Sequence, residues 1–146
     1  MKERNNSSRR VVVIEQEDGV REFCEQLLTS EGYEVSSLPS IKEGFGFLSN
    51  AKNASKVELV VLGLDDSDAS LRERYIQALK TQVHTRGIQL IAVSAASRAK
   101  DLISAYNAGC DYYLPKPFTS AQLSYGVALV LDEEIREAEV KIVLSA

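Results

Sequence analysis

Five short strand-like runs, each followed by a stretch long enough for a helix, constrain this chain more than any other feature of its sequence. They are Val11 to Ile14, Tyr33 to Leu38, Val57 to Leu62, Ile88 to Val93 and Tyr112 to Leu114. The β-branched run Val11-Val-Val-Ile14 and the near-continuous Val57-Glu-Leu-Val-Val-Leu62 suit strands covered on both faces, as in a parallel sheet. Parallel neighbours need crossover connections, and those crossovers wind with one hand. The reading is therefore α/β: a doubly wound five-stranded parallel sheet with helices on both faces. The Val57 run, the most continuous, is expected at the centre.

The segments between these runs carry helix signals. Val20, Phe23, Leu27 and Leu28 recur at helical spacing, and Gly32 marks a stop after Glu31. Ser40 with Glu43 forms a capping box for a helix carrying Ile41, Phe45 and Leu48, with Asn50 to Lys56 a polar loop behind it. Asp65, Asp66 and Asp68 make an acidic loop. Ser70 with Glu73 then reads as the cap of a helix whose inner face is Leu71, Tyr75, Leu79 and Val83, and Gly87 closes that connection. Ser97 to Ala108 reads as a helix with Gly109 past its end, and Thr119 with Gln122 caps the last one. Leu123, Val127, Leu131, Ile135, Ala138 and Ile142 extend that last stripe toward Leu144. The expected organisation is a frayed arm over 1–10, one domain over 11–131 and a helical extension over 132–146. The stripe past Leu131 exceeds what the sheet can cover, so a homodimer or partner contact is expected there.

Composition excludes several classes. With 146 residues, 45% hydrophobic and 26% charged, the chain is sized and composed for one globular domain. A net charge of −4 and a pI near 5.1 give no reason to expect direct nucleic-acid binding; the basic cluster Lys2, Arg4, Arg9 and Arg10 lies in the arm. No apolar stretch approaches the ~18 residues of a membrane span, and Met1 to Arg10 has no secretory pattern, so no membrane association and a cytoplasmic location are expected. Cys24 and Cys110 lack metal or redox spacing and read as buried apolar side chains. His84, the one histidine, reads as a complement to a helix dipole.

In wound parallel sheets the functional residues lie beyond the C-terminal ends of the strands. Here those are Glu15, Gln16 and Glu17, then Gly63, Ser94 and Lys116. The stretch Ala108-Gly-Cys-Asp-Tyr-Tyr-Leu-Pro-Lys-Pro-Phe118 closely resembles the fifth-strand signature of response-regulator receiver domains. Together with Val11 to Ile14 and its acidic sequel, Leu59 to Leu64 and Val93-Ser94-Ala95, the resemblance covers Val11 to Leu131. It implies a flavodoxin-like sheet of order 2-1-3-4-5. It also implies a phosphoryl group accepted on an aspartate ending strand three, magnesium held by an acidic pair ending strand one, and a lysine and a hydroxyl sensing the phosphoryl oxygens.

By that resemblance Ser94 matches the hydroxyl, Lys116 the lysine, Pro117 a proline held in a cis peptide and Tyr113 an aromatic that moves between inward and outward positions. The acidic pair falls on Glu15 and Gln16, and the acceptor position on Gly63. Glycine offers no nucleophile, and loss of both the Gly63 carboxylate and the charge at Gln16 leaves a poor magnesium site, to which Glu15 and Glu17 add weak attraction at most. The expectation is an atypical pseudo-receiver of phosphorelay signalling, without enzymatic activity or cofactor. It would bind proteins, whether a signalling protein, a histidine kinase or an output domain, through the Ser97 to Ala108 helix, the fifth strand and the last helix. Whether an output domain follows Ala146 stays open.

The rival is a phosphorylatable receiver using Asp65, with a partner histidine kinase. At ~3.3 Å per strand residue, its carboxylate is expected roughly 6–7 Å too far along for Lys116 and Ser94 to reach. Lys116 is expected to pair with Glu15 or Glu17, and Ser94 to satisfy loop backbone groups.

Overall fold

The computed structural model describes residues 9–65 and 68–132. In chain order the elements are β1 Arg10–Ile14, α1 Asp18–Ser30, β2 Glu34–Leu38, α2 Ile41–Ser49, α3 Ala51–Ala54, β3 Val57–Gly63, α4 Ala69–Thr81, β4 Gln89–Ser94, α5 Ala99–Ala108, β5 Tyr112–Pro115 and α6 Ser120–Leu131. The strands form one sheet of order β2-β1-β3-β4-β5 with every neighbour parallel, and β3 lies at its centre as its unbroken apolar run requires.

Because side chains alternate across a strand, each strand feeds two cores. On one face Val12, Ile14, Val60, Leu62, Leu90 and Ala92 pack with Leu48 of α2, Ile76 and Leu79 of α4 and Ala105 of α5. On the other, Val11, Val13, Leu59, Val61, Ile91 and Val93 pack with Cys24 and Leu28 of α1 and Leu123 and Val127 of α6. Full burial of one such side chain stabilises by about 1.5–3 kcal/mol, so the two layers set the register firmly. Cys24 and Cys110 are free and buried, and burial pushes both thiols up to about 12, which keeps them protonated and apolar in character.

Helix ends follow local chemistry. Gly32 (φ 97°) and Gly109 (φ 120°) take the left-handed conformation that ends α1 and α5. Thr119 and Gln122 form the expected capping box of α6, and Ser40 Oγ accepts from Glu43 N at 3.1 Å. Four expectations are corrected. The cap of α4 is Asp68, whose carboxylate accepts from Ser70 N at 2.9 Å, so Ser70 lies inside the helix and Glu73 instead accepts from the Ser104 hydroxyl. That helix closes at Thr81, which leaves Val83 74% exposed in the following turn; Ile76 takes the buried place. His84 lies in the same turn, past the last helical turn where a dipole acts. The polar Asn50 to Lys56 stretch holds the short α3, because Asn50 Oδ1 accepts from Lys52 N and Asn53 N at 2.9 and 3.2 Å.

Asp132 caps α6 with extended backbone. The expected helical extension beyond it, the arm before Arg9, and Asp66 lie outside the described residues. Among the described residues no helix is long and apolar enough to cross a membrane.

Candidate functional site

The sheet delivers its functional residues to one edge. Ile14 pairs with Leu62, Gly63 with Val93, and Ser94 with Pro115. The ladder then runs one residue past the strand ends: Glu15 N donates to Leu38 O at 3.1 Å, Leu64 N to Val93 O at 2.7 Å and Lys116 N to Ser94 O at 2.8 Å. Backbone bonds therefore fix Glu15, Leu64 and Lys116 before any side chain acts.

Lys116 is the hub. Its Nζ lies 2.8 Å from Glu15 Oε1, 2.8 and 2.9 Å from the two oxygens of Asp65, and 3.6 Å from Glu17 Oε1. The Glu15 contact is an ion pair rather than an aligned hydrogen bond; the other oxygen, Oε2, accepts from Glu17 N at 2.9 Å. Glu15 is 2% exposed, and so deep a carboxylate needs a counter-charge. Burial pushes the Glu15 carboxyl above its ordinary value, against the lowering effect of Lys116 and the Glu17 amide. For Lys116 burial works downward, yet the carboxylates of Asp65 and Glu15 outweigh it and hold the ammonium above the ordinary lysine value.

The expected Lys116–Glu15 pair is present. The expectation for Asp65 is corrected: it reaches Lys116 directly. The strand spacing used to place it does not apply, because β3 stops at Gly63 and Asp65 stands outside the strand. Gln16 is exposed, whereas Glu15 points inward. Gly63, fully inside the sheet edge, faces the Glu15 carboxyl: a Cβ there would lie 2.8 Å from Glu15 Cδ and closer still to Oε1.

Ser94 is buried, and its Oγ accepts from Ala96 N at 3.1 Å, the backbone role expected of it. Tyr113 is also buried, with its hydroxyl donating to the Ala96 carbonyl and its backbone N donating to Tyr106 Oη at 3.0 Å. Both polar groups of Ala96 are thus held, and the β4–α5 loop is fixed from two sides. Burial raises the Tyr113 phenol above its ordinary value. The Lys116–Pro117 peptide is cis.

Two contributors escaped the sequence reading. Arg21 Nη1 donates to Glu15 O at 2.9 Å while Nη2 pairs with Asp18 Oδ1 at 2.7 Å, clamping the loop after β1. The i, i+3 spacing of Asp18 and Arg21 was the available signal. Arg72 pairs with Asp101 at 3.2 Å, tying α4 to α5 beside the pocket; a pair 29 residues apart leaves no local pattern.

Comparison with known proteins decides the family. The model of the response regulator receiver domain matches residues 11–128. The chain belongs to this family. Among curated relatives, the KDP operon transcriptional regulatory protein KdpE of Escherichia coli is 28% identical over 121 residues, covering 83% of this chain and 50% of that protein. The chain spans about half the length of the curated relatives it matches. Among solved structures, a response regulator of Thermotoga maritima aligns with TM-score 0.74 and 19% identity over 86% of this chain and 99% of that one. A CheY-like receiver domain protein of Methanospirillum hungatei aligns with TM-score 0.70 and 23% identity over 90% and 99%. Both show the same fold.

Magnesium, which the receiver resemblance implies, needs a near-octahedral set of oxygens at about 2.0–2.1 Å. In this receiver the Lys116 ammonium stands between the Glu15 and Asp65 carboxylates, in bonding contact with both. Among the described residues no group of three or more His, Cys, Asp or Glu side chains is placed to hold a metal ion.

Proposed function

We propose that this receiver domain of two-component signalling works without phosphorylation, as a protein-binding module whose pocket is held in one state by its own side chains. The observation that carries this reading is the Lys116 ammonium, bonded at 2.8 Å to Glu15 and to Asp65 beside a glycine at position 63. By the receiver resemblance, position 63 is where the acceptor aspartate belongs and Lys116 is the lysine that grips phosphoryl oxygens. Gly63 has no carboxylate to offer, and Lys116 already has two. Ser94, the matching hydroxyl, is engaged with Ala96 N, and Tyr113 is turned inward on the Ala96 carbonyl.

The pocket thereby fixes the loop leading into α5 without phosphate or magnesium. The surface it holds still is that of α5, β5 and α6, where Ile103, Tyr106 and Tyr125 are exposed. Exposed aromatic and aliphatic side chains on a rigid face suit a protein partner, such as a signalling protein, a histidine kinase or an output domain. The domain acts by binding rather than by catalysis, and self-association through the residues after Leu131 fits the same scheme.

A second reading has one observation in its favour: both Asp65 oxygens touch Lys116, so a carboxylate is present at the pocket mouth. Incubation with acetyl phosphate and magnesium, followed by intact-mass measurement, separates the two. The proposed reading expects the unmodified mass. A covalent phosphoryl group that disappears in Asp65→Asn would establish Asp65 as the acceptor instead.

A further inference from the structure

Gly63 is not required by its backbone. It is the last residue of β3, paired with Val93, and its φ lies outside the left-handed region that only glycine tolerates well. A glycine at a strand end normally loses stability relative to alanine, through greater freedom in the unfolded chain. Something else must favour the missing side chain. The three atoms nearest to a Cβ built at 63 all belong to the Glu15 carboxyl group: Oε1, Cδ at 2.8 Å and Oε2 at 3.2 Å. Glu15 cannot retreat freely, because one oxygen pairs with Lys116 and the other accepts from Glu17 N, with its side chain only 3% exposed.

We infer that positions 15 and 63 form one exchanged pair: Glu15, the residue directly after β1, fills the volume a side chain at the end of β3 would occupy and supplies the carboxylate that Lys116 would otherwise find at 63. Glu15 in this position and any side chain at 63 exclude each other. Glu15 has to cross only to the end of β3, the direct neighbour of β1, because the Lys116 side chain reaches back to it from the end of β5. This makes Glu15 the residue that specifies glycine at 63, and restoring an aspartate there is insufficient by itself to rebuild an acidic pocket on β3. The inference goes beyond the absence of phosphorylation, since it concerns which strand provides the counter-charge to Lys116.

The test is a mutant cycle read by thermal unfolding of the whole chain. With Glu15 present, Gly63→Ala is expected to lower Tm by about 4–8 °C, through displacement of the buried carboxyl. With Glu15→Ala in place, the same substitution is expected to leave Tm unchanged or raise it by about 1–3 °C, because the backbone accepts alanine. A third pair moves the charge: Glu15→Ala with Gly63→Asp is expected to unfold at higher temperature than Glu15→Ala with Gly63→Asn, since an aspartate at 63 meets Lys116 and an asparagine does not carry the charge. If Gly63→Ala alone fails to fold, recovery of folding in the Glu15→Ala background supports the inference and failure there overturns it. Equal Tm losses in the two backgrounds, or an aspartate no better than an asparagine, also overturn it. None of these readings depends on phosphorylation, so they leave the proposed function standing or falling on its own mass measurement.

Discussion

The two edges of the sheet each carry a lysine bonded to a carboxylate, and they are built on different principles. At the N-terminal edge, Lys80 Nζ pairs with Asp111 Oδ2 at 2.9 Å and donates to Ile88 O at 3.0 Å, while the same Asp111 oxygen accepts from Leu90 N at 2.7 Å. Charge is matched one to one there, and the remaining bonds go to backbone that joins α4, β4 and β5. At the C-terminal edge one ammonium meets Glu15, Asp65 and the more distant Glu17, and Glu15 is almost fully buried. The first arrangement is a fastening. The second concentrates negative charge around a single cation, as a pocket built to handle charge does, and makes that cation indispensable.

The largest expected effect tests this contrast directly. Lys116→Met leaves Glu15 buried without a counter-charge and is expected to cost about 3–5 kcal/mol in urea unfolding. Lys80→Met removes a partly exposed partner from a pair with backbone support, and is expected to cost about 1 kcal/mol. Equal losses would erase the distinction between the edges.

A smaller effect sharpens it through pH. Glu15 has a folded value above its ordinary 4.5, so the fold favours its protonated form. Its contribution to stability is complete below 4.5 and declines as pH rises through the window above that value. Against Glu15→Gln, which cannot ionise, the native chain should therefore lose relative stability as pH rises above 4.5 and through the higher folded value, as read by the difference in Tm. Lys116 is also raised, and as a base its contribution is complete below the ordinary 10.5 and is lost only as pH climbs past the folded value. The smallest effect is expected for Asp65→Asn, under about 1 kcal/mol in urea, because Asp65 is the more exposed partner and Glu15 stays with Lys116.

The fold was legible because its signals are repetitive and local. Five strand-like runs at helix-length spacing admit few arrangements, and Val57 to Leu62 announced its central place by the lack of polar alternation. Boundaries set by competing caps were less legible: Ser70 and Glu73 have the right spacing, but Asp68 lies two residues earlier and starts the helix there, its carboxylate accepting from Ser70 N and Leu71 N. The pocket was half legible. Lys116 with Glu15 follows from the need of a buried charge for its opposite. Asp65 did not follow, since its position depends on where β3 lets go, and strand geometry says nothing past that residue. The clash between Glu15 and a side chain at 63 was invisible as well, because two residues 48 positions apart become neighbours only through the order β1-β3.

The central claim is that internal carboxylates, and not an external phosphoryl group, hold Lys116. Backbone amide NMR of Ser94, Ala96 and Lys116, recorded before and after addition of acetyl phosphate with magnesium, reads the pocket at its three fixed points. The account predicts resonances that stay in place, while a new set of shifts at all three positions would contradict it.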